Sequence, residues 1–185
     1  SPCDARVLGY QILQDEYVFT IKEQKFSIDT LIDDSILASQ YKKASMYIFR
    51  LCPSDYHRFH FPDDGIASET KTINGEYHSV NPIALKRIDS FSRNKRTLTV
   101  FHSQHFGDIL FIEVGALGVG SIQQTYIANR TIKRGDEKGY FQFGGSTVIL
   151  LLKSGMIQID NDILEHTKKG IETRLLMGSS IGNTL

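Results

Sequence analysis

Phe143-Gly144-Gly145-Ser146-Thr147-Val148-Ile149-Leu150-Leu151-Leu152 joins a glycine-rich turn to an unbroken apolar run. A run of that length, bounded by turn signals, predicts a strand buried on both faces. The glycines place a hydroxyl at its mouth, and glycine accepts backbone angles that other residues resist. Ser146 Oγ can then be pressed against the carbonyl of its own preceding peptide bond. That is the geometry of an N-to-O acyl shift, which turns an amide into an ester and opens the Gly145–Ser146 bond to scission. Taken alone, the same residues read better as an ordinary turn, because Gly-Gly and Gly-Ser also punctuate hairpins.

Outward from this run, short extended segments dominate. They cover residues 6–13 and 16–21 around the polar Gln14-Asp15, residues 46–50, and a strand pair within 65–78 around Asn74-Gly75. Further strands are expected at 98–101, 109–114, 118–126, 140–143 and 156–159. Ser27 is expected to cap a short helix through Ile28, Leu31 and Ile32 that runs on through Ile36 and Leu37. Asp160 or Asn161 starts a second helical stretch through His166, ended by Gly170. Many strands with turn residues at brief intervals predict a mainly β fold with short helices, a compact sandwich or barrel-like domain. Residues 1–185 read as one domain.

Hydrophobic residues make up 41% of the 185, enough for a real core, and 21 basic residues balance 21 acidic ones. A neutral chain lacks the concentrated positive field of a bulk nucleic-acid binder. Cys3 and Cys52 form neither a disulfide framework nor a closely spaced thiolate metal site. No stretch reads as a secretory leader or has spanning length; the longest apolar candidate, 109–120, contains Glu113 and is divided by glycines. Membrane contact is therefore expected to be peripheral, or made by a segment outside these residues. The opening Ser1-Pro2-Cys3-Asp4 reads as the interior of a domain, so an upstream part is expected.

In Tyr56-His57-Arg58-Phe59-His60-Phe61 the period-two pattern sets residues 57, 59 and 61 on one face and Arg58 and His60 on the other. A histidine near neutrality can take a proton from a serine and later return one to a carbanion. Hydrogen bonding of one or both imidazoles to backbone is the plainer alternative. Zinc is a third reading, since His57-x-x-His60 and His102-x-x-His105 offer four imidazoles. Neither is a helical His-Glu-x-x-His, and proton transfer ranks above metal binding. Asp4 can orient an imidazole as the acid of a triad does, or serve as a turn acid before Ala5-Arg6.

Taken in order, these pieces resemble the phosphatidylserine decarboxylase family of pyruvoyl-dependent enzymes. The resemblance rests on Ser1-Pro2-Cys3-Asp4-Ala5-Arg6-Val7, Ser54-Asp55-Tyr56-His57-Arg58-Phe59-His60-Phe61-Pro62 with Asp64-Gly65, and Tyr77-His78-Ser79-Val80-Asn81-Pro82. It continues through Phe106-Gly107, Val114-Gly115-Ala116, Val119-Gly120-Ser121-Ile122 and Lys133-Arg134-Gly135-Asp136-Glu137-Lys138-Gly139-Tyr140-Phe141 into Phe143-Gly144-Gly145-Ser146-Thr147-Val148. Ala5 departs from the glycine that many relatives carry there.

The resemblance implies self-cleavage between Gly145 and Ser146, giving a larger fragment 1–145 and a smaller fragment 146–185 that stay packed together. It makes Asp4, His60 and Ser146 the self-cleavage triad and Ser146 the source of a pyruvoyl group, with no external nucleotide, metal or pyridoxal. That carbonyl would condense with the amine of phosphatidylserine and serve as an electron sink, yielding phosphatidylethanolamine and carbon dioxide. His57 and His78 are the implied substrate contacts, His57 beside the reacting carbon and His78 toward the head group. Implied partners are phosphatidylserine, a membrane surface, the two fragments for one another, and a second copy in a homodimer, without nucleic acid. The implied location is the cytoplasmic face of a bacterial cytoplasmic membrane. Competing readings are decarboxylation of a related serine-bearing lipid, and an uncleaved lipid-binding relative.

Overall fold

The computed structural model describes residues 1–12, 18–21, 24–80, 90–116, 121–142 and 146–185, with backbone alone for 18–21 and 24–26. The apolar run forms β13 (Ser146–Leu152), with every residue buried. It lies between β4 (Ser45–Leu51) and β9 (Gly107–Val114), antiparallel to both. Neighbours on two edges and cover on two faces explain why its sequence is continuously apolar rather than alternating. Each fully buried Val, Leu or Ile contributes about 1.5–3 kcal/mol.

Among the described residues the large antiparallel sheet has nine strands. β8 (Arg96–Ser103), β9, β13, β4 and β1 (Ala5–Tyr10) run through its middle, and β15 (Thr173–Leu175) closes one edge. A second sheet of β10 (Ser121–Gln124), β12 (Glu137–Gln142) and β5 (Arg58–His60) packs on it. Between them lies an aromatic cluster in which Phe59 meets Phe111 and Phe141, and Phe61 meets Phe101, Phe111 and Tyr126, with ring centroids 4.9–6.3 Å apart. This is the mainly β, sandwich-like architecture expected from the strand pattern.

Some local expectations need correction. Asn74-Gly75 does not turn a hairpin: β6 (Gly65–Ala67) and β7 (Lys71–Ile73), both before it, pair with β8, and Glu76, after it, forms a parallel bridge with Asn94. Gly75 serves a close approach: a Cβ there would sit 2.3 Å from the Arg93 carbonyl oxygen. The expected first helix is two helices, α1 (Ile28–Ile32) and α2 (Ser35–Ser39), broken at Asp33, whose φ is +53°. Ser27 caps the first as expected, its Oγ accepting the Asp29 N–H at 3.2 Å, and Asp34 caps the second. A short α3 (Ser90–Arg93) carried no clear helical signal. The last helix, α4 (Asn161–Lys168), follows Asp160 and gives way to Gly170 at φ +69°. The Gln14-Asp15 turn lies outside the described residues.

The histidines of the zinc reading are separately engaged. His102 Nδ1 meets Asp108 at 2.7 Å, and His105 Nδ1 meets Asp63 at 2.9 Å. No group of three or more His, Cys, Asp or Glu side chains among the described residues is arranged to hold a metal.

Asp63 is buried and also accepts from Ser103 Oγ at 2.5 Å and the His105 N–H at 2.9 Å. Burial works against its charge, but the Ser103 and His105 hydrogen bonds outweigh it and hold the carboxyl below its ordinary range. A depressed folded-state pKa contributes stability that is complete above the unfolded value near 4 and is lost as pH falls through the folded one. Thermal melts between pH 7 and 3 should therefore show an acid-side fall in Tm. Asp63→Asn should cost about 2 kcal/mol at pH 7 and shrink that fall. An unchanged acid slope in the variant would remove Asp63 from the account.

Candidate active site

Three strand ends meet at one edge of the large sheet. β13 begins at Ser146, which pairs with Leu51 at the end of β4, and β1 begins at Ala5, directly after Asp4. β4 separates β1 from β13, so at about 4.8 Å per strand their axes lie about 10 Å apart. β12 runs toward the same edge and ends at Gln142, three residues upstream of Gly145. Phe143, Gly144 and Gly145 lie outside the described residues.

β5 lies beside β12, with His60 opposite Glu137, and the His57 carbonyl accepts the Phe141 N–H at 3.0 Å. His57 thus lies at the end of β12 that leads to Ser146. The expected alternation holds here. Phe59 and Phe61 enter the core, while Arg58 stays exposed, 2.6 Å from Glu137 and over the Tyr140 ring. His60 shares the Arg58 face yet is only 8% exposed, because Tyr56 stacks on it at 6.0 Å.

His60 Nδ1 lies 3.0 Å from the Gly135 carbonyl oxygen. A carbonyl only accepts, so Nδ1 carries the proton and the neutral ring leaves its lone pair on Nε2. Among the described residues His60 Nε2 is buried without a partner, as are Ser146 Oγ, Thr147 Oγ1 and both ring nitrogens of His57. Buried polar atoms without partners are costly and uncommon, which makes these four residues the candidates for a reacting site.

Asp4 is half-buried, and its Oδ1 accepts the Met177 N–H at 2.8 Å. No hydrogen bond among the described residues joins Asp4, His60 and Ser146 directly. Backbone connects the neighbourhood instead: the His60 N–H donates to the Pro2 carbonyl at 2.8 Å, two residues before Asp4.

His78 sits farther from this edge in chain terms. Its ring pairs with Glu76, and its backbone N–H and carbonyl bond the amide of buried Asn94 at 2.8 and 2.7 Å. Asn94 Nδ2 also donates to the Gly115 carbonyl at 2.7 Å, one residue beyond Val114, the partner of Thr147. Sequence reading missed Asn94, since a lone asparagine in a polar stretch carries no signal of burial.

It also missed a buried ion pair. Lys138 and Glu113 are both fully buried, 2.7 Å apart. Lys138 Nζ donates to Gln124 Oε1 at 2.8 Å and lies 5.0–5.8 Å from the Phe59, Phe111 and Tyr126 ring centroids. Glu113 accepts from Thr97 Oγ1 and from Gln124 Nε2. Burial lowers the lysine pKa while the glutamate opposes the shift. The network ties β12, whose end leads to Ser146, to β9, the neighbour of β13.

The phosphatidylserine decarboxylase family model matches residues 1–183. The phosphatidylserine decarboxylase proenzyme of Clostridium botulinum (strain Langeland) is 52% identical over 184 residues, which is 99% of this chain and 62% of that protein. The proenzyme of Ruminiclostridium cellulolyticum is 50% identical over 186 residues, covering 100% and 62% respectively. That of Clostridium tetani is 50% identical over 183 residues, covering 98% and 62%. The chain therefore spans about three fifths of the length of the curated relatives it matches. A match over 183 residues means that the chain belongs to the phosphatidylserine decarboxylase family.

Proposed function

We propose that the protein cleaves itself between Gly145 and Ser146 and then decarboxylates phosphatidylserine to phosphatidylethanolamine and carbon dioxide. The observation that carries this reading is the set of buried, unpartnered atoms at Ser146, His57 and His60 in a chain of this family.

The cleavage follows from these residues. His60 Nε2, kept basic by the Gly135 carbonyl on Nδ1, takes the Ser146 hydroxyl proton. Ser146 Oγ attacks the Gly145 carbonyl carbon, the C–N bond breaks, the freed amine gains a proton, and an ester remains. Loss of the residue 146 α-proton then breaks the Oγ–Cβ bond, freeing residues 1–145 with a C-terminal carboxylate and leaving dehydroalanine at 146. Tautomerisation and hydrolysis release ammonia and give an N-terminal pyruvoyl group on residues 146–185. Asp4 is assigned to orient the imidazole.

The orphaned nitrogens of His57 and His60 fit a carbonyl-bearing group at position 146. That group supplies an electron sink for the pair left by departing carbon dioxide. His60 returns the proton to the substrate carbon, His57 holds the substrate beside it, and His78 is assigned to the head group. The two fragments remain one body, and pairing of two copies belongs to the same proposal. Among the described residues no helix is long and apolar enough to cross a membrane. Peripheral contact with the cytoplasmic face of a bacterial membrane is the proposed mode of access.

Denaturing intact mass spectrometry of freshly purified protein tests the reading. Two species are expected, one ending at Gly145 and one starting with a pyruvoyl-modified residue 146. A single unmodified chain would favour the uncleaved lipid-binding alternative. Among serine-bearing lipids, phosphatidylserine should give the highest kcat/KM.

A further inference from the structure

The turn at residues 133–136 works on two sides. Gly135 offers its carbonyl to His60, while Arg134 lines a separate cavity of about 240 Å³. One side of the cavity is apolar or aromatic, formed by Tyr47, Phe106, Ile109, Leu150, Leu152 and Ile157. Ser1, Pro62 and residues 178–183 join Arg134 on its other, more polar border. Leu150 and Leu152 stand an even number of residues beyond Ser146 on β13, hence on the same face of the sheet. The strand rise puts Leu150 about 13 Å from Ser146.

Charge at this border is unbalanced. Lys133 is held by Asp64 at 2.8 Å, but the Arg134 guanidinium has no ion-pair partner among the described residues. Just before residue 178, Leu176 and Met177 are 57% and 41% exposed. Met177 is also the residue whose N–H bonds Asp4. One border of the cavity thus leads through Gly135 to His60, and the other through Met177 to Asp4.

We propose that this cavity binds one acyl chain of an anionic phospholipid, with Arg134 against the phosphate; the proposal rests on the reaction assigned above. Apolar walls alone would accept any hydrocarbon, whereas an unpaired guanidinium beside them favours a ligand whose anion adjoins its hydrocarbon. The volume falls below the roughly 300–1,000 Å³ of a drug-sized site, so it takes a segment of one chain and leaves the second in the bilayer. About ten bonds of head group and glycerol, each near 1.5 Å before zigzag, bridge the distance from residue 146. Leu176 and Met177 would then face the membrane from which the chain is drawn.

The test uses decyl phosphate as probe, titrated calorimetrically into the purified protein, with decanol and inorganic phosphate as comparison ligands. Ile157→Trp, which fills the cavity, and Phe106→Trp, at a less buried wall position, should each weaken decyl phosphate tenfold or more. Arg134→Gln should weaken decyl phosphate by a similar factor and leave decanol unchanged. Inorganic phosphate should bind none of the proteins measurably. No binding of decyl phosphate to the wild type, equal binding to all variants, or equal capture of inorganic phosphate would overturn the proposal.

Turnover gives a separate reading. Phe106→Trp should raise KM for dioleoyl phosphatidylserine at least fivefold and leave glycerophosphoserine, which has no acyl chain, unaffected; an equal effect on both would also overturn the proposal. A protein that binds decyl phosphate as expected yet decarboxylates neither substrate would sink the assigned reaction and leave the cavity assignment standing.

Discussion

Ser146→Ala leaves one chain of full length after purification, with no pyruvoyl group and no decarboxylation. The substitution removes a single oxygen from a residue with no exposed surface, and that oxygen has no hydrogen-bond partner among the described residues. Nothing is left unpaired by its loss, so the fold should be at least as stable as before. The loss of cleavage is then chemical. His60→Ala should give the same uncut mass for a different reason, the missing proton acceptor. It should also cost about 1–3 kcal/mol, because the Gly135 carbonyl loses its donor. Intact mass and thermal melts of both variants separate the two causes. Two fragments from Ser146→Ala would put the scissile bond elsewhere, and normal cutting in His60→Ala would pass the base role to another group, with His57 first in line.

Lys138→Met is expected to be the most damaging single change to stability, at about 3–5 kcal/mol. Methionine fits among the surrounding rings, but Glu113 would keep its charge in a fully buried site with its cation gone. For a chain of this size the loss corresponds to a Tm lower by about 10 °C. Glu113→Gln in the same chain should restore more than half, since glutamine can still accept from Thr97 and carries no charge. Both are best melted in the uncut Ser146→Ala chain, where refolding is not confounded by the break. A double variant no more stable than Lys138→Met would mean that packing of the lysine stem, and not charge burial, sets the cost.

The contrast between these two sites shows what could be read without coordinates. β13 was legible because a strand buried on both faces must be apolar at every position, and residues 148–152 are. Ser146 carried only a weak signal by itself, since Gly-Gly-Ser also punctuates hairpins, and the ordered set of segments along the chain singled it out. The facing of residues 57–61 followed from period two. Asn74-Gly75 misled because a glycine required by a neighbouring backbone looks the same as one required by a hairpin. The continuous first helix failed at Asp33, where two acidic residues stand between the apolar ones and the chain takes a left-handed step. Lys138 resembled one more charge in a polar turn, and only the pairing of β12 with β5 and β10 turns it inward. The partner that fixes the His60 tautomer is a main-chain carbonyl, which every residue possesses and no side-chain pattern can announce.

The central position of β13, with β9 on one side and β4 on the other, dictates an order of events. A severed segment that forms the middle of a sheet cannot be added late, as an edge strand can. The cleavage proposed above therefore requires that the protein be made as one chain and reach its final shape before it is cut. On that proposal maturation is a one-way record that folding succeeded, because misfolded copies never align Ser146 with its imidazole and stay whole. The same logic would make the cut protein unrepairable. Once denatured, its halves would have to find each other by collision and rebuild the sheet around a missing centre. Loss of activity on heating should persist on cooling, and the cell replaces such a molecule by new synthesis.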